Sequence, residues 1–94
     1  MVKEVHAAHI LVKSQDEAQA ILNELKTGKA SFAKLAEVKS LCPSGKRGGD
    51  LGWFTRGKMV KEFENAAFNL KKGEMSGLVR TQFGWHIIRC LETK

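Results

Sequence analysis

The first apolar segment of the chain, residues 5–13, has hydrophobic side chains at most positions. Alternate residues of a strand share one face of a sheet. One face would carry Val5, Ala7, His9 and Leu11, and the other would carry His6, Ala8, Ile10 and Val12. Because both faces are largely apolar, the pattern predicts a central strand.

Two helical patterns follow this strand. The capping box Ser14-Gln-Asp-Glu17 predicts the start of a helix, and Gly28 predicts its end. Ser31 predicts the cap of a second, shorter helix that ends near Ser40, before the loop that contains Pro43. Their apolar residues have helical spacing, with Ala18, Ile21, Leu22 and Leu25 in the first helix and Phe32, Leu35 and Ala36 in the second.

The second half of the chain predicts one helix and three short strands. The helix has an apolar face, and Lys71, Lys72 and Gly73 predict its carboxyl-terminal end. The order β-α-α-β-α-β-β predicts an α+β fold in which an antiparallel sheet packs on helices. The elements are a strand over 51–55, a helix over 60–70 with Phe63, Ala66, Ala67 and Leu70 on one face, and strands over 75–80 and 85–91 joined by a hairpin turn at 81–84.

Length and composition indicate one small globular domain over residues 1–94, with 43% hydrophobic and 28% charged residues. The first six residues contain no long apolar run, so we expect no signal peptide, no membrane span and a cytoplasmic location. In that compartment Cys42 and Cys90 would be free thiols. Their spacing is not that of a zinc site.

The chain is basic, with sixteen Lys and Arg residues and a net charge of +6. Such a charge favours weak attraction to nucleic acid, ribosomes or acidic partners, although a solvated basic surface is the simpler interpretation. The residues that could form a basic rim are Lys46, Arg47, Arg56, Lys58 and Lys61.

Two histidines lie about eighty residues apart, each inside a strand-like apolar run. A buried imidazole is costly unless it is hydrogen-bonded, so His9 and His86 suggest two strands that meet inside one fold. A structural role is the simpler interpretation for each, and direct proton transfer is the alternative. His6 and His9 would point to opposite faces of their strand, so we predict no metal site there.

Cys42 begins a glycine-rich segment that runs to Phe54. It could be a nucleophile assisted by a histidine, or a small packed residue that closes a helix. No typical cysteine-hydrolase signature surrounds it. The glycines at 45–52 do not have phosphate-loop spacing, and we expect them to allow positive φ and close backbone packing.

Four apolar residues are candidates for a ligand pocket: Leu51, Met59, Phe63 and Phe83. Phe63 is at a core-facing position of its helix, which favours an ordinary core role. Met59 precedes that helix and Phe83 lies in the hairpin, so neither is required by the core. This placement favours a ligand surface.

Taken together, these motifs resemble the parvulins, the small class of peptidyl-prolyl cis/trans isomerases. They occur in the family's order over nearly the whole chain, and the closest likeness is to stand-alone prokaryotic parvulins. The matching segments are His9-Ile-Leu-Val-Lys13, Cys42 to Gly52, Phe54 to Val60, Phe63 to Phe68, Gly73-Glu-Met-Ser76 and Thr81 to Ile88.

The resemblance implies a four-stranded antiparallel sheet surrounded by helices, as in parvulins and FKBP-like folds, and no cofactor. It also implies the site. His9, His86, Cys42 and Thr81 match the polar catalytic positions, Leu51, Met59 and Phe63 match the proline-ring pocket, and Phe83 matches the pocket rim. Lys13 leads directly into the Ser14 capping box without an arginine cluster, so we expect no phosphate-directed specificity.

The predicted function is therefore non-covalent acceleration of Xaa-Pro bond rotation in peptides and in unfolded or partly folded proteins. We expect a monomer without membrane partners. Two alternatives stay open: a chaperone or holdase module that binds peptides in the same groove, and a basic protein associated with nucleic acid or the ribosome.

Overall fold

The computed structural model describes residues 2–94 and confirms the predicted α+β fold. Between the second helix and the second strand it adds a short 3₁₀ helix that the sequence pattern did not indicate. The elements are β1 (Glu4–Val12), α1 (Gln15–Thr27), α2 (Phe32–Lys39), the 3₁₀ helix (Pro43–Arg47), β2 (Asp50–Thr55), α3 (Lys61–Phe68), β3 (Val79–Thr81) and β4 (Gly84–Thr93). Among residues 2–94, every helix is too short or too polar to cross a bilayer.

The four strands form one antiparallel sheet in the order β2-β1-β4-β3. The central pair joins the two ends of the chain, with His9 opposite Ile88 and Leu11 opposite His86. The prediction that the two histidine strands meet inside the fold is therefore confirmed. A bulge between His6 and Ala7 interrupts the register near the start of β1.

The two faces of β1 pack in two separate clusters, as the alternation predicts. Ala8, Ile10 and Val12 pack with α1 and α2, whereas Val5 and Ala7 pack with α3. Burying an aliphatic side chain of this size contributes roughly 1.5–3 kcal/mol. Since β1 supplies both clusters, it holds the helices on opposite sides of the sheet. The cluster on the α3 side also contains Phe54, Phe63, Ala67, Phe68, Ile88 and Cys90.

The helix boundaries predicted from capping residues are confirmed for α1 and α2. The Ser14 hydroxyl accepts a hydrogen bond from Glu17 N at 3.1 Å, and the Ser31 hydroxyl accepts one from Lys34 N at 3.1 Å. Gly28 ends α1 in the left-handed conformation with φ of 76°. Each cap satisfies backbone groups that the first or last turn cannot pair.

The end of α3 differs from the prediction. The helix ends at Phe68, with Asn69 at the carboxyl-terminal cap, and not at Leu70. The Asn69 side-chain amide donates to the carbonyl oxygen of Asn65 at 2.7 Å, and the following backbone tightens into a turn. Gly73 adopts positive φ in that later turn and does not cap the helix.

The third strand is also shorter than predicted and begins at Val79. Met75 only forms an isolated bridge with Arg89. Next to it, the Ser76 hydroxyl accepts the backbone N–H of Ile88 at 2.9 Å. A side chain thus takes a ladder position that a backbone carbonyl would occupy, which interrupts regular pairing.

The glycine-rich segment packs tightly against the first histidine strand. Gly49 N donates to Ser44 O at 2.8 Å, and Gly49 O accepts from His9 N at 2.9 Å. Gly49 has φ of 85°, and a Cβ there would overlap the carbonyl oxygen of His9. Glycine is needed because the backbones approach this closely.

We therefore expect Gly49→Ala to destabilise the fold by about 3 kcal/mol or more, since strain at positive φ adds to a backbone clash. Urea unfolding would measure the change. Gly77→Ala is the matched control, because Gly77 has ordinary φ and its Cβ would meet no atom within 4 Å. Equal stability of the two variants would contradict this account of the segment.

Candidate functional site

One cavity of about 470 Å³ opens on the side of the sheet that carries α3. We call it the main cavity. It contains every residue that the sequence predicted for the site except Thr81, which lies behind it. The lining residues are His9, Leu11, Leu41, Cys42, Pro43, Leu51, Lys58, Met59, Val60, Phe63, Phe83 and His86.

The inner end of the main cavity is formed by the two histidines. Their Nδ1 atoms lie 3.0 Å apart, and the rings stack with centroids at 5.1 Å and an angle of 19°. Both side chains are buried, with exposed fractions of 5% for His9 and 3% for His86. An N–H···N bond of this kind needs one hydrogen between the two nitrogens, so two neutral rings satisfy it.

Thr81 extends the hydrogen-bonded pair into a chain. Its hydroxyl oxygen lies 2.7 Å from His86 Nε2 and accepts the backbone N–H of Phe83 at 3.1 Å. Two proton arrangements of neutral rings satisfy both contacts: Thr81 donates to His86 Nε2 and His86 Nδ1 donates to His9, or His9 Nδ1 donates to His86 and His86 Nε2 donates to Thr81. The predicted link between Thr81 and the histidines is thus present as a geometric contact.

Burial keeps both imidazoles neutral. Desolvation lowers the pKa of His86 from 6.5 to about 4. Desolvation, and to a lesser extent charge repulsion from His86, lowers the pKa of His9 to about 4. Neither ring therefore carries a positive charge at neutral pH, and the inner end of the cavity is polar but uncharged.

Phe63 covers the histidine pair from α3. Its ring meets the rings of His9 and His86 edge-on, with centroid distances of 5.4 Å and 5.3 Å and angles of 84° and 77°. Leu51 and Met59 are partly buried in the same apolar cluster. Phe63 therefore belongs to the core and lines the cavity at once, which combines the two interpretations that the sequence left open.

Cys42 lies at the edge of the main cavity, partly exposed, directly before the 3₁₀ helix. Ser40 holds this position, because its hydroxyl accepts the backbone N–H groups of Leu11 at 3.0 Å and Cys42 at 3.3 Å. The Ser44 hydroxyl donates to the Cys42 sulfur at 3.2 Å. Within residues 2–94, Cys42 makes no hydrogen bond to a histidine, so no cysteine–histidine pair is assembled.

The lining of the main cavity includes two exposed apolar side chains. Phe83 is 53% exposed in the hairpin turn, which agrees with its predicted place at the rim. Leu41 is 55% exposed, and sequence reasoning missed it. The signal was present, because an apolar residue after a helix end and before Pro43 is not required by the core. Leu11, Pro43 and Val60 were missed as well, whereas Lys58 was predicted only as a member of the basic rim.

His6 and His9 serve different parts of the structure. His6 Nε2 lies 2.8 Å from an Asp50 carboxylate oxygen, whereas His9 bonds to His86. In the part of the chain that the structure describes, no three His, Cys, Asp or Glu side chains group as metal ligands would.

The geometry agrees with a known family. A family model for the PPIC-type PPIase domain, described as a rotamase, matches residues 5–92. The chain belongs to this family of peptidyl-prolyl isomerases, the parvulins. The resemblance drawn from the sequence motifs is confirmed, and the order of strands and helices matches that of solved parvulins.

Individual parvulin relatives support the assignment. Foldase protein PrsA 1 of Bacillus cereus is 52% identical over 92 residues, covering 97% of this chain and 32% of the relative. The crystal structure of PrsA from Bacillus anthracis has a TM-score of 0.95 at 45% identity, covering 99% of this chain and 43% of that one. NmPin, the parvulin of Nitrosopumilus maritimus, gives 0.83 at 46% identity, with 96% and 97% covered. This chain spans about a third of the length of the curated relatives it matches.

The neutral histidine pair predicts acid lability. Because the folded-state pKa of each ring, about 4, is below the unfolded value of 6.5, the unfolded chain binds more protons between these values. The contribution of the histidine pair to the free energy of unfolding is present above pH 6.5 and is lost as the pH is lowered towards 4. We expect each ring to reduce the free energy of unfolding by roughly 2 kcal/mol between pH 7 and pH 5.

Urea unfolding at a series of pH values would measure this loss. His9→Asn removes one of the two titrating rings and should make the dependence about half as steep. His6→Asn is the control, because His6 contacts Asp50 and lies outside the pair, and the fall in stability between about pH 7 and pH 5 should persist in it. A free energy of unfolding that stays constant from about pH 7 to pH 5 would contradict the neutral pair.

Proposed function

We propose that the main cavity holds the proline ring of an Xaa-Pro segment and accelerates its cis/trans rotation without forming a bond to it. The observation that carries the proposal is the apolar cavity closed at its inner end by a neutral, hydrogen-bonded histidine pair. Met59, Phe63 and Leu51 would contact the ring, and Phe83 would cover it from the rim.

Rotation about the Xaa-Pro bond breaks only amide resonance and no covalent bond, so it requires no reactive group from the protein. The barrier is about 18–20 kcal/mol, and spontaneous exchange takes on the order of tens to hundreds of seconds. The twisted amide has less charge separation than the planar one. An apolar cavity therefore disfavours the planar ground state relative to the twisted state, and each ~1.4 kcal/mol of difference gives about tenfold in rate.

The histidines would act in this scheme as a fixed polar surface. His9 Nδ1 is occupied by His86, and His86 Nε2 is occupied by Thr81. Each ring is thus oriented by its neighbour, and both have a lowered pKa that makes them poor bases. We infer that they shape the cavity and position the rotating amide, and that neither removes a proton.

Cys42 would adjoin the rotating carbonyl and would not attack it. Its sulfur accepts the Ser44 hydroxyl at 3.2 Å, and no base in residues 2–94 is hydrogen-bonded to it. Activation of a nucleophile requires such a base or a comparable activating group. We therefore assign Cys42 a role in local polarity and packing at the cavity edge.

Substrates of the complete protein are proposed to be unfolded or partly folded chains, which agrees with the foldase names of several relatives. Selectivity for a phosphorylated residue is not expected, because β1 leads through Lys13 directly into the Ser14 cap.

The holdase alternative would use the same exposed rim, Leu41 and Phe83. Cytoplasmic location and a monomeric state stay predictions from the sequence.

The nucleic-acid alternative has weaker support. Arg56, one member of the suggested basic rim, lies 3.4 Å from Glu64 and stacks over Phe68 at 4.5 Å. A guanidinium held in this way is less available to a phosphate. The remaining basic side chains fit a general electrostatic attraction, which carries no assignment of a partner.

An NMR exchange measurement on an Ala-Pro peptide tests the proposed activity. We expect catalytic amounts of the protein to accelerate exchange, and Phe63→Leu to lower kcat/KM about tenfold or more by removing the aromatic edge from the cavity. Phe68→Leu is the matched control, because Phe68 is a buried phenylalanine of the same helix that does not line the cavity.

The Phe68 variant should unfold more easily but keep kcat/KM within about twofold. Equal losses in the two variants would show that stability, and not the cavity, controls the rate. Exchange that stays at the spontaneous rate with folded wild-type protein would contradict the isomerase proposal, and binding without acceleration would favour the holdase.

A further inference from the structure

A second groove of about 320 Å³ adjoins the main cavity. We call it the β2 groove. The two share a wall made by Leu51, Lys58 and Met59. The β2 groove is lined by Glu4, Leu51, Trp53, Phe54, Thr55, Lys58 and Met59.

The β2 groove lies beside the edge strand of the sheet. Three successive residues of β2, 53–55, line it, although successive side chains of a strand point to opposite faces. Glu4 of the neighbouring strand, which pairs with Thr55, also lines it. We take the groove to run along β2, for about 7 Å at 3.4 Å per residue. β2 is the outermost strand, and on its outer side no strand of residues 2–94 pairs with it. Such an edge can accept an extended chain through backbone hydrogen bonds.

Trp53 is the most distinctive side chain in the β2 groove. It is 39% exposed, one of four large hydrophobic residues in the described chain that are exposed to solvent. Its ring is held in place by neighbours, with the His6 ring centroid at 5.4 Å and the Lys94 ammonium at 4.6 Å. A rigid, partly exposed indole beside a strand edge is well suited to bind an apolar side chain.

We propose that the substrate chain leaves the main cavity across Leu51 and Met59 and lies in the β2 groove, where Trp53 selects for an apolar residue. This inference rests on the proposed function, because it takes the proline ring to be bound in the main cavity. The occupant is an extended polypeptide segment continuous with that proline.

The geometry also assigns a direction to the chain. In the proposed arrangement the Xaa-Pro amide lies near Cys42, and the ring contacts Leu51 and Met59. Cys42 lines only the main cavity, whereas Leu51 and Met59 line both. The residue before the proline is therefore on the Cys42 side, and the residues after the proline are on the side of the β2 groove.

Peptides extended on one side of the proline test this proposal. We would compare an Ala-Pro core peptide with one extended after the proline and one extended before it. About four apolar residues, which reach about 13 Å, are sufficient for the extension. In the wild-type protein the extension after the proline should raise kcat/KM about tenfold, a gain of ~1.4 kcal/mol.

Trp53→Ala should remove that gain and leave turnover of the core peptide within about twofold of wild type. Trp53→Thr provides a second variant that retains strand propensity if the alanine variant fails to fold. Val38→Ala is the matched control, because Val38 is 62% exposed and lines neither cavity. It should keep the full gain.

Two results would overturn the proposal: a gain that persists in both Trp53 variants, or no gain from the extension after the proline in the wild type. A Trp53-dependent gain from the extension before the proline would overturn the assigned direction.

The indole N–H resonance of Trp53 should shift only with the peptide extended after the proline. Failure of the proposed function is distinguishable, because wild-type protein would then not accelerate even the core peptide.

Discussion

The hydrogen bond between His9 and His86 connects the two ends of the chain at the bottom of the main cavity. It requires that β1 and β4 pair in one register, which places Leu11 opposite His86 and His9 opposite Ile88. Desolvation keeps both rings neutral, and two neutral rings satisfy the bond with one hydrogen between their Nδ1 atoms. Phe63 packs edge-on against both rings, so the position of α3 depends on the same pair. Sheet register, helix position and cavity shape are thus linked through one contact.

This constraint explains why polar histidines can serve an essentially apolar cavity. Three of the four ring nitrogens pair with each other or with Thr81, and His9 Nε2 is buried without a hydrogen-bond partner among the described residues. What faces a ligand is largely hydrocarbon from Leu51, Met59 and Phe63. An amide in such surroundings loses the solvation that favours its planar, charge-separated form. This is the basis on which we propose catalysis by the environment of the amide and not by a single reactive group.

Much of the fold follows from local signals in the sequence. Ser14 and Gly28 delimit α1, and alternation in β1 divides the core between two sheet faces, because caps and strand periodicity act over a few residues. The end of α3 and the start of β3 were not predictable in this way. The Asn69 side chain ends α3 by donating to Asn65 within the same helix, an alternative that apolar spacing does not reveal. The Ser76 hydroxyl accepts from Ile88 on a distant strand. The seven predicted residues that line the main cavity could be singled out from the sequence itself, and Thr81 came only from the family resemblance. Leu41 carried a local signal between a helix end and Pro43, whereas the Trp53 groove becomes evident only when distant segments are brought together.

The most direct test of the central claim is the solvent deuterium isotope effect on kcat/KM for exchange of an Ala-Pro peptide by the wild-type protein. If the histidine pair only shapes the cavity, no proton moves in the rate-limiting step. The account therefore predicts equal rates in H₂O and D₂O once the difference in viscosity is corrected. A rate lower in D₂O by about twofold or more would indicate general acid–base catalysis and contradict the account.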